Sequence, residues 1–327
     1  MPKAIVINHY GDTDQLQWQD IELPSLAPTE VLVENKAISF NMIDTYFRKG
    51  LYPMEVPFVL GAESSGNIIA TGSDVKDFAV GDRVACVQPK QGAYAEQRIT
   101  STENLIKIPD SIDHKTVAAS LLKGMTAQYL LKQTYPVQAG DTVVIYAAAG
   151  GVGTILVQWA KHLGANVIAI TGSAEKCALA KDNGADHTID MSEISVSEIA
   201  GHVRRMTNGQ GVPVIYDSLG KDTFIASLDC LQPRGLLVSY GNATGAVTDV
   251  NLLDLAQKGS LFVTRPSLFH YISTPESMAT TANDLFEAIE KGVLTISIGQ
   301  CFALKDAALA HKAAESRQTT GATVLLP

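Results

Sequence analysis

Two textures of apolar and polar positions divide the chain. Through the first third, short runs such as Val31-Leu32-Val33-Glu34 and Asn67-Ile68-Ile69-Ala70 are separated by Pro24, Pro28, Gly72-Ser73 and Gly81-Asp82. Short strands between frequent turn residues predict a mostly β domain of the partial-barrel kind. From about Leu121 the elements lengthen. Thr142–Tyr146 is apolar and β-branched, the texture of a strand buried on both faces. A helix is predicted over residues 154–163, a strand over Asn166–Thr171 and a helix over 175–183 closed by Gly184. Buried-strand texture returns at 212–216 and 235–240, with helical sequence between. Strands alternating with helices predict βαβ units and a parallel sheet. One more helix, over 275–291, precedes short strands that end at 323–326 and share the texture of the first domain. The last segment is therefore expected to rejoin the N-terminal domain, with the α/β domain inserted between its two parts.

The glycine cluster Ala147-Ala148-Ala149-Gly150-Gly151-Val152-Gly153 lies between a predicted strand and a predicted helix. Gly150, Gly151 and Gly153 allow a tight turn and a close approach to a pyrophosphate, whose charge the free amides and dipole of the next helix stabilise. Alanines interrupt the usual dinucleotide pattern, and a structural turn is the bland alternative. The strand before, the helix after and a second strand about 15 residues on point to dinucleotide binding. Where an NAD site carries an acidic residue for the ribose 2′-hydroxyl, this chain has Thr171-Gly172-Ser173, with Lys176 one turn further. A missing carboxylate and a nearby lysine suit the 2′-phosphate of NADP. A solvated surface lysine is the competing explanation for Lys176.

Charge and cysteine usage narrow the class. Lys plus Arg number 25 and Asp plus Glu 34, a net charge of −9. That acidity argues against nucleic acid as the main partner and against an anionic membrane surface. No apolar stretch reaches the length of a membrane span, and the opening residues do not resemble a secretory leader. Cys86, Cys177, Cys230 and Cys301 are scattered, as expected of buried thiols in a reducing compartment, here the cytoplasm. No paired-histidine metal motif and no hydrolase elbow occur.

The segments Asn41-Met42-Ile43-Asp44-Thr45-Tyr46, Gly50-Leu51-Tyr52-Pro53, Leu60-Gly61-Ala62-Glu63, Gly81-Asp82-Arg83-Val84, Tyr216-Asp217-Ser218 and Thr264-Arg265-Pro266 join the glycine loop in one order. Together they resemble the quinone oxidoreductase (zeta-crystallin-like) branch of the medium-chain dehydrogenase/reductase superfamily, over essentially the whole chain. The resemblance implies an α/β fold: a Rossmann, doubly wound parallel sheet (125–266) inserted in a mostly β GroES-like catalytic domain (1–124 and 267–327). It implies NADPH as cofactor, a small-molecule quinone as substrate, hydride transfer in an interdomain cleft, and a homodimer formed through a sheet edge around 236–240 or 261–264. Asn41, Tyr46 and Tyr52 become the candidate catalytic residues. Asn41, Thr126 and Tyr129 are expected near the nicotinamide. Gly150, Gly151, Val152 and Gly153 are expected at the pyrophosphate, and Gly172, Ser173, Lys176 and Arg317 around the 2′-phosphate. Ser218, Tyr240, Gly241, Asn242, Val263, Thr264 and Arg265 complete the cofactor set.

Zinc alcohol dehydrogenases of the superfamily carry a cysteine near position 41 and a Gly-His-Glu core, whereas this chain has Asn41 and Gly61-Ala62-Glu63. No metal is therefore expected. Met191 stands where a family tyrosine assists at the 2′-phosphate, which leaves the strength of the NADPH preference open. Two rivals stay open as well: an alkenal or enone reductase of the same fold, and an NADPH-binding structural or RNA-binding protein.

Overall fold

Alternation of buried and exposed positions creates the strands of the first third. In Glu30–Phe40, Val31, Val33 and Asn35 face inward, and near the strand's end both faces become buried. The structure, a computed structural model, describes residues 1–88, 91–316 and 319–327. The strands are β1 (Lys3–Ile7), β2 (Gln17–Asp20), β3 (Glu30–Phe40), β4 (Phe58–Val59), β5 (Glu63–Thr71), β6 (Arg83–Val87), β7 (Gln97–Ser101) and β8 (Leu105–Lys107). They continue as β9 (Thr142–Tyr146), β10 (Asn166–Thr171), β11 (His187–Asp190), β12 (Val212–Asp217), β13 (Leu231–Ser239), β14 (Phe262–Thr264), β15 (Ile298–Ala303) and β16 (Ala322–Leu326). Among the helices are α1 (Met42–Arg48), α2 (His114–Tyr129), α3 (Gly151–His162), α4 (Ala174–Asp182), α5 (Ile199–Met206) and α6 (Phe224–Cys230). The remainder are α7 (Leu252–Gln257), α8 (Leu268–Tyr271), α9 (Pro275–Glu290) and α10 (Ala307–Glu315).

Two units result. The first comprises Met1–Lys123, Ile272–Glu290 and Ile296–Pro327, and the second Gly124–Tyr271 with Lys291–Thr295. In the first unit a sheet of order β15-β16-β3-β5-β6-β8, with β7 also on β3, accompanies a smaller β2-β1-β4 sheet. The C-terminal strand β16 pairs antiparallel with β3, so the chain does return to its first unit. Val31, Val33, Ile68, Val84, Cys86 and Leu105 form one apolar cluster there.

The second unit is a six-stranded sheet of order β11-β10-β9-β12-β13-β14, all parallel. Strand order reverses between β9 and β12, the switch point outside which ligands of doubly wound sheets bind. Val144, Ile168, Ile170, Ile215 and Leu237 fill its core. The crossing back to the first unit follows Tyr271 rather than residue 266. Within the second unit the Tyr271 ring stacks on Tyr129, with centroids 4.3 Å apart, and its hydroxyl accepts from Thr134 Oγ1 at 2.9 Å. Two further expectations change. Leu236 lies in β13, which β12 and β14 flank, so only the 261–264 segment supplies a sheet edge. Cys301 is exposed, unlike the other three thiols.

Candidate functional site

In the second unit the site is built from backbone. After β9, Ala147 adopts a positive φ of 48°, and Gly150 N–H donates to Ala147 O at 2.8 Å. Gly150 is the N-cap of α3, so the amides of Gly151, Val152 and Gly153 begin the helix and have no partner within it. A Cβ on Gly153 would lie 2.2 Å from Ala147 O, so no other residue fits without moving the turn. A loop this close to its helix, ending in amides without helical partners, has the form that suits a diphosphate.

At the end of β10, Ser173 caps α4 by accepting from Lys176 N–H at 3.3 Å, and nothing lies within 4 Å of a Cβ built on the exposed Gly172. Gly172, Ser173 and Lys176 therefore share one strand end. At β12 and β13, Tyr240 N–H donates to Asp217 O at 2.8 Å, and a Cβ on Gly241 would meet Ser218 O at 2.3 Å. Ser218, Tyr240, Gly241 and Asn242 are thereby held together. Asp217 organises the loop. Its carboxylate accepts from the amides of Leu219 and Gly220 and from the hydroxyls of Thr223 and Ser227. Val263 and Thr264 end β14, and Arg265 Nη1 donates to Ser239 O at 2.9 Å. Thr126 and Tyr129 are buried on α2. Burial raises the Tyr129 hydroxyl well above its ordinary range; Tyr240 and Tyr271 lie close enough to add to the shift, and Arg265 to oppose it. Arg317 lies outside the described residues.

In the first unit the site is built from buried side chains. Asn41 is the N-cap of α1, and Asp44 Oδ2 accepts its backbone N–H at 2.8 Å. The carboxamide turns elsewhere: Asn41 Nδ2 donates to Glu63 Oε1 at 2.8 Å, and Lys123 Nζ donates to Asn41 Oδ1 at 2.8 Å. Lys123 also donates to Ser39 Oγ at 2.6 Å and Phe40 O at 3.1 Å, and pairs with Glu63 at 3.7 Å. The second Glu63 oxygen accepts from Leu122 N–H at 2.6 Å. Burial lowers the Lys123 ammonium, against the opposing pull of Glu63 and Asp44. Tyr46 and Tyr52 meet edge to face, with centroids 5.5 Å apart, and both are half-buried.

Sequence reasoning missed Lys123 and a second chain of buried polar groups behind α1. Tyr94 hydroxyl donates to Asp44 Oδ2 at 3.0 Å and lies 3.3 Å from His311 Nε2. Arg48 Nη1 is 3.0 Å from His311 Nδ1, and Arg48 Nη2 forks onto both Glu315 oxygens at 2.8 and 3.0 Å. Burial pushes His311 down to about 3, helped by Arg48, and pushes Asp44 up to about 7. The signal for Lys123 was a lone lysine in the apolar stretch of α2, and for His311 a histidine among the alanines of α10. Neither pattern names a partner, because the partners come from distant strands.

Comparison with known proteins agrees with this architecture. Residues 27–110 match the family described as alcohol dehydrogenase GroES-like domain, and residues 151–288 that described as zinc-binding dehydrogenase. A quinone oxidoreductase of Pseudomonas aeruginosa is 50% identical, with all of both chains covered. A 2-haloacrylate reductase of a Burkholderia species is 45% identical over 100% of this chain and 99% of its own. The solved structure of Escherichia coli quinone oxidoreductase complexed with NADPH is 44% identical, covers 99% of this chain and 100% of its own, and superposes with a TM-score of 0.96. The chain belongs to the quinone oxidoreductase (zeta-crystallin-like) branch of the medium-chain dehydrogenase/reductase superfamily. The zinc in one family description finds no obvious ligand set: among the described residues no group of three His, Cys, Asp or Glu is arranged to hold a metal ion.

Proposed function

We propose that the chain is a zinc-independent, NADPH-dependent quinone oxidoreductase of the cytoplasm. The observation that carries the reading is the strand-end constellation of the second unit. It joins a diphosphate cradle at Gly150–Gly153 to a second strand end, Thr171-Gly172-Ser173, that itself carries no acidic residue and is followed in the first turn of α4 by Glu175 and Lys176. That donor set fits a nucleotide with a 2′-phosphate. NADPH, when bound, supplies the hydride. The residues of the chain bind and orient: Gly151, Val152 and Gly153 through their amides, Ser173 and Lys176 at the phosphate, and Ser218, Tyr240, Gly241, Asn242, Val263, Thr264 and Arg265 along the later strand ends. Thr126, Tyr129 and Asn41 serve the nicotinamide end, and Arg317 the phosphate.

Zinc independence is supported by the donors themselves. Asn41 and Ala62 stand at the thiolate and imidazole positions, and the Lys123 ammonium already neutralises Glu63 at 3.7 Å while holding Asn41 Oδ1. A divalent cation there would face an ammonium and an amide. The substrate is then one that accepts hydride without a Lewis acid, as a quinone does because its ring becomes aromatic. The Tyr46–Tyr52 pair offers a flat apolar face with hydroxyls at its edge.

A second reading is favoured by the relationship to the 2-haloacrylate reductase: conjugate reduction of an activated alkene. One experiment separates the two. NADPH oxidation is followed with benzoquinone, phenanthrenequinone and an α,β-unsaturated aldehyde, each repeated with NADH and with EDTA. Chelator-insensitive quinone turnover that prefers NADPH is expected. Turnover of the alkene alone assigns the second reading, and loss of activity in EDTA overturns zinc independence.

The cysteines are all free thiols, in keeping with a reducing compartment. Among the described residues no helix is long and apolar enough to cross a membrane. A net charge of −9 weighs against nucleic acid as the main partner. A homodimer is proposed through the β14 edge, where Phe262 is 57% exposed beside Val263, with Leu252 of α7 74% exposed nearby in sequence. Light scattering should give twice the chain mass, and F262D should give monomers.

A further inference from the structure

Arg98 is buried in the first unit, 4% exposed, on the inward face of β7. It stands opposite Val33 of β3, which belongs to the apolar cluster with Ile68, Val84 and Cys86. Among the described residues no group accepts a hydrogen bond from Nε, Nη1 or Nη2. A guanidinium is a permanent cation, so it cannot relieve its burial by giving up a proton. Every other buried cation of this unit has such acceptors: Arg48 forks onto Glu315, and Lys123 has Ser39, Phe40 and Asn41. A buried charge left without them costs several kcal/mol.

The surroundings supply further donors. Gln91, 8% exposed, accepts from Gly61 N–H through Oε1 at 2.7 Å, while its Nε2 has no acceptor. The neighbouring Gly92, at φ +128°, brings the backbone over the guanidinium: a Cβ built there would lie 3.7 Å from Arg98 Nη2. Gln88 Oε1 is occupied by Thr100 Oγ1 at 3.3 Å. Arg98 thus carries three donor atoms without acceptors and one positive charge, and Gln91, whose neighbour Gly92 lies against the guanidinium, carries a fourth; a single negative charge would satisfy the guanidinium. The fork of Arg matches a carboxylate in two places, and a halide or nitrate in one or two. A dianion would leave a charge uncompensated in the interior.

We infer that Arg98 and Gln91 form a binding subsite for a small monovalent anion, either a free inorganic ion or the carboxylate of a substrate. The subsite is tied to the candidate site through the chain: Gly61 N–H donates to Gln91 Oε1 at 2.7 Å, and Glu63, two residues on, holds Asn41. It does not rest on the quinone reading, because binding is measurable without turnover.

The test follows thermal melting of the full chain in gluconate, with chloride, bromide, nitrate or formate substituted at constant ionic strength and sulfate as the dianion control. A saturable rise with the small monovalent anions, and none with sulfate, is expected. R98M places an apolar chain in an apolar setting and should fold, since replacing a buried charge by a hydrophobe is commonly tolerated; it should lose the rise. Q91A should weaken the anion about tenfold, as expected for one hydrogen bond to a charged group. Bromide-soaked crystals should show an anomalous peak at the guanidinium. The same rise in R98M, an equal response to all salts, or no bromide peak overturns the subsite. An ordered water linking Arg98 to Asn35 Oδ1, an orphaned acceptor held close to Ala93 and Ala95, would give that salt-blind result. A second arm identifies the ligand's source. Selective loss in R98M of turnover with a conjugated carboxylate, quinone turnover being unchanged, assigns a substrate carboxylate; no difference between the two acceptors assigns a free ion.

Discussion

The candidate site of the second unit is built from backbone, and that of the first unit from buried charge. Around Gly150–Gly153 the decisive features are a positive φ at Ala147, a missing Cβ at Gly153 and free amides at the start of α3. Around Asn41 they are a carboxylate, an ammonium and an amide sealed from water, with Asp44, Tyr94 and His311 behind. Backbone donors are preorganised by the fold itself and leave no stray charge when the ligand departs. Buried side chains hold a chosen geometry only while every partner is present, because each desolvated charge depends on its neighbour. The two units should therefore fail differently under substitution.

The largest effect is expected at Lys123. K123M strands the Glu63 carboxylate and should destabilise the protein by about 3–5 kcal/mol. Adding E63Q should return part of that loss, whereas additive losses in urea unfolding would show that the two groups are not coupled. G153V tests the other kind of site. Its side chain would collide with Ala147 O, so a cost of roughly 1–3 kcal/mol in stability is expected, with loss of NADPH binding by fluorescence titration. Retained binding would show that the turn can shift and that its backbone is not the cradle.

K176E should weaken NADPH by about 1.5–3 kcal/mol, as for a lost hydrogen bond to a charged group, while leaving NADH nearly unchanged. Equal effects on the two cofactors would remove Lys176 from the 2′-phosphate.

The smallest effect is a change of slope with pH. Asp44 is raised from 3.8 to about 7, chiefly by burial and further by Glu63, while the Asn41 amide, Tyr94 and Lys123 oppose the shift. The native state then keeps a proton that the unfolded chain has released, so this carboxyl costs stability progressively as pH rises from about 4 to 7. His311 acts in the opposite sense. Its folded value of about 3 lies below 6.5, so stability is lost as pH falls below about 6.5. D44N should therefore gain stability relative to the parent chain between pH 4 and 7. Parallel curves would mean that Asp44 does not titrate in this range.

Much of the second unit was legible before folding. Thr142–Tyr146 and Asn166–Thr171 are strands over the residues expected, because β-branched runs buried on both faces have few alternatives. Helix α3 begins at Gly151, three residues before its apolar spacing starts, since the glycines of the loop also form its first turn. The first unit was legible as strands and turns, while its polar interior was not. Asp44, Arg48, Tyr94, Lys123 and His311 are ordinary residues locally and become a network only when α1, the segment before β7, α2 and α10 come together.

By itself the sequence determined the order of strands and helices, the glycine loop, the absence of an acidic residue from the Thr171–Ser173 end of β10 and the loss of cysteine and histidine at positions 41 and 62. These are local or compositional properties, fixed by side-chain size, charge and backbone freedom. Tertiary structure decided that Lys123 reaches both Asn41 and Glu63, that β14 and not β13 forms a sheet edge, and that Arg98 faces the interior with no acceptor among the described residues. Those depend on which distant segments meet, and the energy of a buried charge is set by the neighbours it meets there.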